Sequence, residues 1–350
     1  MKLRLILSIY LLSIGLIGYS QKVVGGQNTG QYEYKFLAGL GYKNGVTKNP
    51  EEHFCGGSLI RQDWILTAAH CLYDDNGNPL KANEIFAFLN VWQLDNPNPE
   101  MEQYNITKII MHANYDDFSS DNDIALLRIS GKSNLNLITL PAQNNESLLI
   151  AGKKCTVAGW GATNNSGTQY PTIQQKVELE VISNTTCNQS SWYDGEVLQS
   201  MLCAGYAAGQ KDACYGDSGG PLFVMENGDT TQIGVVSWGY GCAEAKQPGV
   251  YTKVSNYINW INTNIAAATV GVELLEMDAI CKINGNQGKI LLESNANTPL
   301  LLAVNSIAGS RIGEINLEAN EASEINLPAG AYVVSSVLNG TKIVKKIIVW

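Results

Sequence analysis

The chain has 350 residues, more than a single domain of about 100 to 200 residues holds, so two domains are expected. Its 23 basic and 32 acidic residues leave a net charge of -9. That balance excludes the basic footprint required for nucleic acid or an anionic membrane surface, and reads as solubility.

The first segment, MKLRLILSIYLLSIGLIGYS, sets Lys2 and Arg4 before an apolar run from Leu5 to Ile17, with Gly18 and Ser20 after it. That order predicts a secretory signal peptide over 1–20, removed after Ser20. The run is shorter than the roughly 20 residues that span a bilayer, and no later segment comes close, so the mature protein is expected to be soluble. Behind it, QKVVGG at 21–26 places a lone basic residue, Lys22, ahead of Val23. These letters read either as a strand start with a turn or as a cleavage site. Export makes the eight cysteines candidates for disulfides rather than for redox or metal chemistry. Seven of them fall before residue 245, which marks a domain boundary beyond that point.

From Val23 to Tyr251 short apolar or alternating runs such as WILTAA, IALLRI and IGVVSWG are separated by Gly, Asn, Asp and Pro. Many short strands with that punctuation predict an all-β barrel or sandwich. Then Val254, Tyr257, Ile258, Ile261 and Ile265 recur at helical spacing and predict a closing helix over 254–265. AAATVG at 266–271 is small and unpatterned, and reads as a linker. In 272–350 strand patterns return, and AYVVSSVL and KIVKKIIV flank Asn339-Gly340, a pair that favours a tight hairpin because both residues tolerate positive φ. A small separate β domain follows.

GDSGGP at 216–221 brackets Ser218 with glycines, which allow close backbone approach to a substrate carbonyl, although such a stretch alone is more often a turn. A serine nucleophile needs a base, and the chain has only His53, His70 and His112. His70 ends an apolar run in TAAHC, beside Cys71, and Asp123 in DNDIALL opens an apolar strand that can draw it inside. Asp121 reads as a solvated surface charge.

The order His70, Asp123, Ser218 accompanies VVGG, FCGGSLI, WILTAAHC, DNDIALLRI, AGWG, DACYGDSGGP, VSWGYGC and QPGVYTKV, in that sequence. Over residues 23 to about 265 the chain resembles the trypsin-like serine proteases. The resemblance implies two six-stranded antiparallel β-barrels with a C-terminal helix, before a small β-sandwich. Ser218 would attack the scissile carbonyl, His70 would carry its proton, and Asp123 would orient the imidazole. The amides of Gly216 and Ser218 would form the oxyanion hole. Asp212 would lie at the bottom of a pocket for Lys or Arg, kept open by Gly239 and Gly249, while Ser237 and Gly239 pair with substrate backbone. Ala213 stands where relatives often carry a serine that helps hold lysine, so Arg is expected over Lys.

The same resemblance implies disulfides Cys55–Cys71, Cys187–Cys203 and Cys214–Cys242. The usual partner position of Cys155 falls at Val224, so Cys155 is either a buried thiol or joined to Cys281. In the loop over 89–103 where relatives bind calcium, Glu102 fits one ligand position, but Trp92 falls at the other and cannot coordinate a hard cation. No cofactor or metal is expected, and neither His53 nor His112 receives a catalytic role. Cleavage after Lys22 would remove the propeptide 21–22 and create an ammonium on Val23 that pairs with Asp217; self-activation follows from the expected specificity. Catalytic activity is the leading expectation, and an inactive binding or adhesion homologue the alternative.

LPAGAYVVSSVLNGTKIVKKIIV at 327–349 resembles the C-terminal sorting domains of type IX secretion in Bacteroidetes. It implies that machinery as a partner and a route through the periplasm to the cell surface or medium. An adhesive or substrate-binding β-sandwich is the alternative. Protein or peptide substrates and a monomeric chain complete the expectation.

Overall fold

A computed structural model of the chain describes residues 23–43, 48–268, 281–296, 299–307, 310–338 and 341–350. The expected signal peptide, Gln21, Lys22, the end of the expected linker and the Asn339-Gly340 turn lie outside the described residues. The chain divides into two compact units, Met1–Ile258 and Asn259–Trp350.

In the first unit, β1 (Gln27–Asn28) is followed by β2 (Leu37–Tyr42), β3 (His53–Arg61), β4 (Trp64–Thr67), β5 (Ile85–Leu89), β6 (Glu102–Met111) and β7 (Ala125–Ile129). Strands β2 to β7 close an antiparallel barrel in the order β2-β3-β4-β7-β6-β5. Its strands are continuous apolar runs: all five residues of IFAFL in β5 are buried, as are all four of WILT in β4. Then come β8 (Lys154–Gly159), β9 (Gln175–Ile182), β10 (Met201–Gly205), β11 (Pro221–Glu226), β12 (Asp229–Trp238) and β13 (Gly249–Lys253). They run β9-β10-β13-β12-β11-β8, a β8–β9 pairing closes the second barrel, and β1 adds to β9 outside it. In QKVELEVI of β9 the buried positions alternate, the period of two by which a strand turns one face to a core. Two closed six-stranded antiparallel barrels are therefore present, as expected.

The barrels meet through buried polar bonds. Ser58 Oγ of β3 donates to Gln232 Oε1 of β12 at 2.6 Å, and the Gly56 N–H donates to the Ser218 carbonyl at 2.7 Å. Both polar groups are thereby satisfied away from water.

The closing helix differs from its expected bounds. A 3-10 turn, Val254–Asn256, precedes a helix over 258–268, so 266–268 belong to the helix rather than to a linker. The physical reason is Ala266, Ala267 and Ala268, since alanine has the highest helix propensity of any residue. Among the described residues no helix is long and apolar enough to cross a membrane.

The second unit contains β14 (Cys281–Asn286), β15 (Lys289–Ser294), β16 (Leu300–Ser306), β17 (Arg311–Leu317), β18 (Ala322–Asn326), β19 (Gly330–Leu338) and β20 (Thr341–Val349). They form a three-stranded sheet, β14-β15-β18, and a four-stranded sheet, β17-β16-β19-β20. Ile283 and Leu292 of one sheet share a buried core with Leu302, Val334 and Ile347 of the other. β19 and β20 pair with Leu338 opposite Thr341, which leaves a two-residue connection at the expected hairpin.

Candidate active site

His70 lies where β4 has ended and the chain tightens into a 3-10 turn, His70–Leu72. The next residue, Cys71, is bonded to Cys55 of β3, so the backbone carrying the imidazole is tied to the barrel wall. Asp123, two residues before β7, is buried. Its carboxylate accepts from the His70 backbone N–H at 2.9 Å and lies 2.7 Å from His70 Nδ1. A carboxylate can only accept, so Nδ1 carries the proton and Nε2 is left as the basic nitrogen.

Two strands of the second barrel hold Asp123. The Ser237 hydroxyl of β12 donates to Asp123 Oδ2 at 2.5 Å, and Thr252 Oγ1 of β13 donates to the Asp123 carbonyl at 2.6 Å. Burial pushes the Asp123 carboxyl up, but the His70 charge and the hydrogen bonds from His70 and Ser237 outweigh it and hold it below the usual carboxylate range. For His70 burial works downward, and the Asp123 charge outweighs it, so the imidazole stands above its ordinary value of 6.5.

Ser218 sits in the turn ahead of β11, two residues after Gly216, whose φ of +95° is open to glycine and costly for other residues. Beside Ser218 opens a cavity of about 160 Å³. Asp212, Ala213, Ser237, Gly239 and Gly249 all line it, with the Cys214–Cys242 disulfide in its wall. Asp212 is buried and accepts from the Ala243 N–H at 3.0 Å and the Gly249 N–H at 3.2 Å. Burial pushes its carboxyl up to about 7. A Cβ on Gly249 would lie 2.8 Å from Asp212 Oδ1, so any side chain there would stand between the carboxylate and an entering group.

Asp217, one residue before Ser218, points the other way, into the protein. It accepts from the Gly161 N–H at 2.9 Å and the Cys214 N–H at 3.0 Å, and burial pushes it up to about 6. A Cβ on Gly159 or Gly161 would lie 2.2 or 2.3 Å from its carboxylate atoms, so these two glycines form its cradle. The AGWG segment carries no local mark of this task beyond its Gly-x-Gly spacing. Sequence reasoning assigned Ser237 only to substrate backbone and missed its hydroxyl on Asp123. Nearby, Val24 packs against Ala162 and the Cys214–Cys242 pair, and the Asp212 N–H donates to the Val24 carbonyl at 3.3 Å.

The remaining candidates separate from this constellation. His53 is packed against the Phe88 and Trp160 rings, and burial pulls it down to about 4, so it is a neutral core imidazole. His112 packs edge-on against Tyr257. In the loop over 89–103 Glu102 accepts from the Tyr104 hydroxyl at 2.8 Å, and the Trp92 indole donates to the Thr29 carbonyl at 3.0 Å. Among the described residues the one tight grouping of potential metal ligands is Cys55, His70 and Cys71, whose two sulfurs are bonded to each other. Cys187 is joined to Cys203, and Cys155 is a buried thiol rather than half of a disulfide. Extending the β8–β11 register puts Val224 opposite Cys155, and burial pushes that thiol up to about 12, which leaves it unreactive.

The family model described as Trypsin matches residues 23–261. The chain belongs to the trypsin family. Among its trypsin-family relatives, trypsin of Sus scrofa is 41% identical over 230 residues, covering 63% of this chain and 90% of that protein. Anionic trypsin of Canis lupus familiaris is 39% identical over 222 residues, and cationic trypsin-3 of Rattus norvegicus 41% over 222, each covering 63% of this chain and 84% of the relative. This trypsin-family chain is a serine endopeptidase, a hydrolase acting on protein or peptide substrates. Its three disulfides fit folding in an oxidising, extracellular compartment.

Proposed function

We propose that the chain is an exported endopeptidase that cuts after Arg in preference to Lys, with Ser218, His70 and Asp123 as its triad, once the Lys22–Val23 bond has been cut. The observation that carries this reading is a buried carboxylate, Asp212, in a cavity that also reaches Ser218. Neither group alone would define a substrate; together they set a basic side chain at one end and a nucleophile at the other.

In this mechanism Ser218 Oγ attacks the carbonyl while its proton passes to His70 Nε2, and the imidazolium so formed is stabilised by Asp123. The proton then goes to the leaving amine, and water repeats the sequence on the acyl-enzyme. The Gly216 and Ser218 amides meet the developing oxyanion, an effect of about 2.7 to 4 kcal/mol per donor in such enzymes. An arriving guanidinium reaches Asp212 with two parallel bonds and supplies the cation that this carboxylate lacks. The Ala213 methyl offers no hydroxyl to help a shorter ammonium, which supports the preference for Arg.

Activation rests on Asp217. A fully buried carboxylate held by two N–H groups is costly as an anion, and a Val23 ammonium folded inward would neutralise it. The second unit, a seven-stranded sandwich, is the part we assign to type IX export, with the signal peptide serving the inner membrane.

Matched amide substrates ending in Arg, Lys and Phe test the reading. The expected order of kcat/KM is Arg, then Lys, then Phe, and Asp212→Ser should remove the advantage of both basic residues. Equal values for Arg and Lys would end the Arg preference, and an advantage that survives in Asp212→Ser would end the role of Asp212.

A further inference from the structure

A cleft of about 350 Å³ opens on the protease unit beside the segment that follows Val23, bordered by Gly25, Gly26, Gln27, Lys176, Glu178 and Lys211. It shares no residue with the cavity that holds Asp212. Glu178 accepts from Lys154 Nζ at 2.6 Å, and Glu33 from Lys176 Nζ at 2.5 Å, so each carboxylate is already neutralised by a lysine of its own. Lys211 is left over: its ammonium lies 5.7 Å from the centre of the Tyr206 ring, and among the described residues no carboxylate pairs with it. Three lysines stand against two carboxylates, which leaves the cleft one positive charge in a chain whose net charge is -9. Such a place attracts an anion that the rest of the chain repels.

Lys211 is also where the activation segment meets the substrate cavity. Gly25 sits on it at φ +73°, and a Cβ there would lie 2.4 Å from the Gln210 carbonyl oxygen and 2.7 Å from Lys211 Cγ, so only glycine lets the two stretches of chain touch. One residue before Gly25 and one after Lys211, the Val24 carbonyl accepts from the Asp212 N–H at 3.3 Å. Asp212 in turn lines the cavity beside Ser218. On the far side of the cleft Gln27 of β1 is paired with Lys176 of β9. An anion between Lys211 and Lys176 therefore bears on the segment 25–27 and on the residue next to Asp212 at once.

We propose that this cleft is an effector site for a small oxyanion, a phosphate or a short carboxylate, which Lys211 and Lys176 hold and which fastens the cut segment 24–26 against 210–212, tightening the Asp212 cavity for its substrate. Lysine suits the task because its ammonium is a compact point charge that binds either anion without a planar match. An anion that binds better when the segment is seated favours that state by its difference in affinity, and substrate and anion then strengthen each other's binding. The coupling to substrate rests on the readings of Asp212 and of the Lys22–Val23 cut; the binding of the anion does not.

The test titrates full-length secreted protein with a verified Val23 terminus with sodium phosphate and, separately, sodium succinate, against sodium chloride at equal ionic strength. The calorimetric Tm of the protease unit should rise by about 3 to 6 °C at ten times the half-saturating concentration. KM for an acetyl-Arg amide should fall about 5-fold with kcat unchanged, the low end of coupling between two sites. Lys211→Gln should remove both responses, and Lys211→Arg should keep them. Phosphate also stabilises proteins by exclusion from their surface, but that effect does not depend on one lysine, so an equal response in Lys211→Gln overturns the proposal. The absence of a response to both anions overturns it too, as does a rise in Tm with KM unchanged; a response to one anion alone supports it and assigns the class of effector. An enzyme with no preference for Arg over Phe amides in chloride overturns the Asp212 reading instead, and the Tm measurement, which uses no substrate, still decides whether the cleft binds.

Discussion

Asp123 collects more hydrogen bonds than a surface carboxylate could hold in place: two from His70, and one from the Ser237 hydroxyl across the barrel interface. Each favours the charged form, and the charged form is what raises the imidazole. The sign for activity follows directly. In the proposed triad His70 must be neutral to accept the Ser218 proton, so activity should be present above its raised pKa and be lost as pH falls through it. We predict an acidic limb of kcat/KM with its midpoint above 6.5, and a midpoint lower than that value would contradict the geometry. Asp123→Asn should lower kcat by about 10⁴-fold, because the amide favours the wrong tautomer. At this scale the candidates are legible in the sequence: His70, Asp123, Ser218 and Asp212 stand in short segments that single them out. The Ser237 hydroxyl is not, because it reaches a residue 114 positions away and no local pattern encodes that meeting.

In the proposed activation the segment Val23–Gly25 is the element that changes between uncut and cut chain. Its Val24 is already seated against the Cys214–Cys242 disulfide, while Asp217 lies buried with a carboxyl pushed up to about 6. A carboxyl whose folded pKa is raised binds its proton more tightly in the folded chain, so stability falls as pH rises from about 4 to about 6. Once Val23 carries an ammonium that penalty is relieved. Chain cut after Lys22 should therefore exceed uncut Lys22→Gln chain in Tm by more at pH 7 than at pH 4.5, as read by calorimetry. A difference that is the same at both pH values would count against the Val23–Asp217 pair. The closing helix teaches a related lesson. Spacing of apolar residues predicted an end at 265, but Ala266 to Ala268 carry the helix on, because propensity continues where the apolar pattern has stopped.

Across the whole molecule the protease unit is followed by the β-sandwich, and the composition between them has a consequence. No Lys or Arg occurs between Lys253 and Lys282, and Lys253 is buried in β13. An enzyme of the proposed specificity has no bond to cut there, so any removal of the tail within that stretch would fall to a protease of different specificity. Expressed in its host, the Ser218→Ala variant should lose the tail as fast as the active chain, and a chain without 272–350 should remain behind the outer membrane. Retention of the tail by Ser218→Ala alone would show self-removal, and export of the truncated chain would remove the sorting assignment.

The sequence by itself determined the all-β class, the family, the cysteines that pair and the residues placed at the site, because each is written in contiguous segments whose local chemistry is distinctive. It left Cys155 open between a thiol and a bond to Cys281, and packing against the barrel core decided that it is a thiol. Only the tertiary structure decided that Gly159 and Gly161 cradle Asp217 and that Ser237 steadies Asp123. Those relations join residues from separate strands and both barrels, and depend on how closed sheets bring distant backbone within a few ångströms rather than on anything a single stretch of chain prefers.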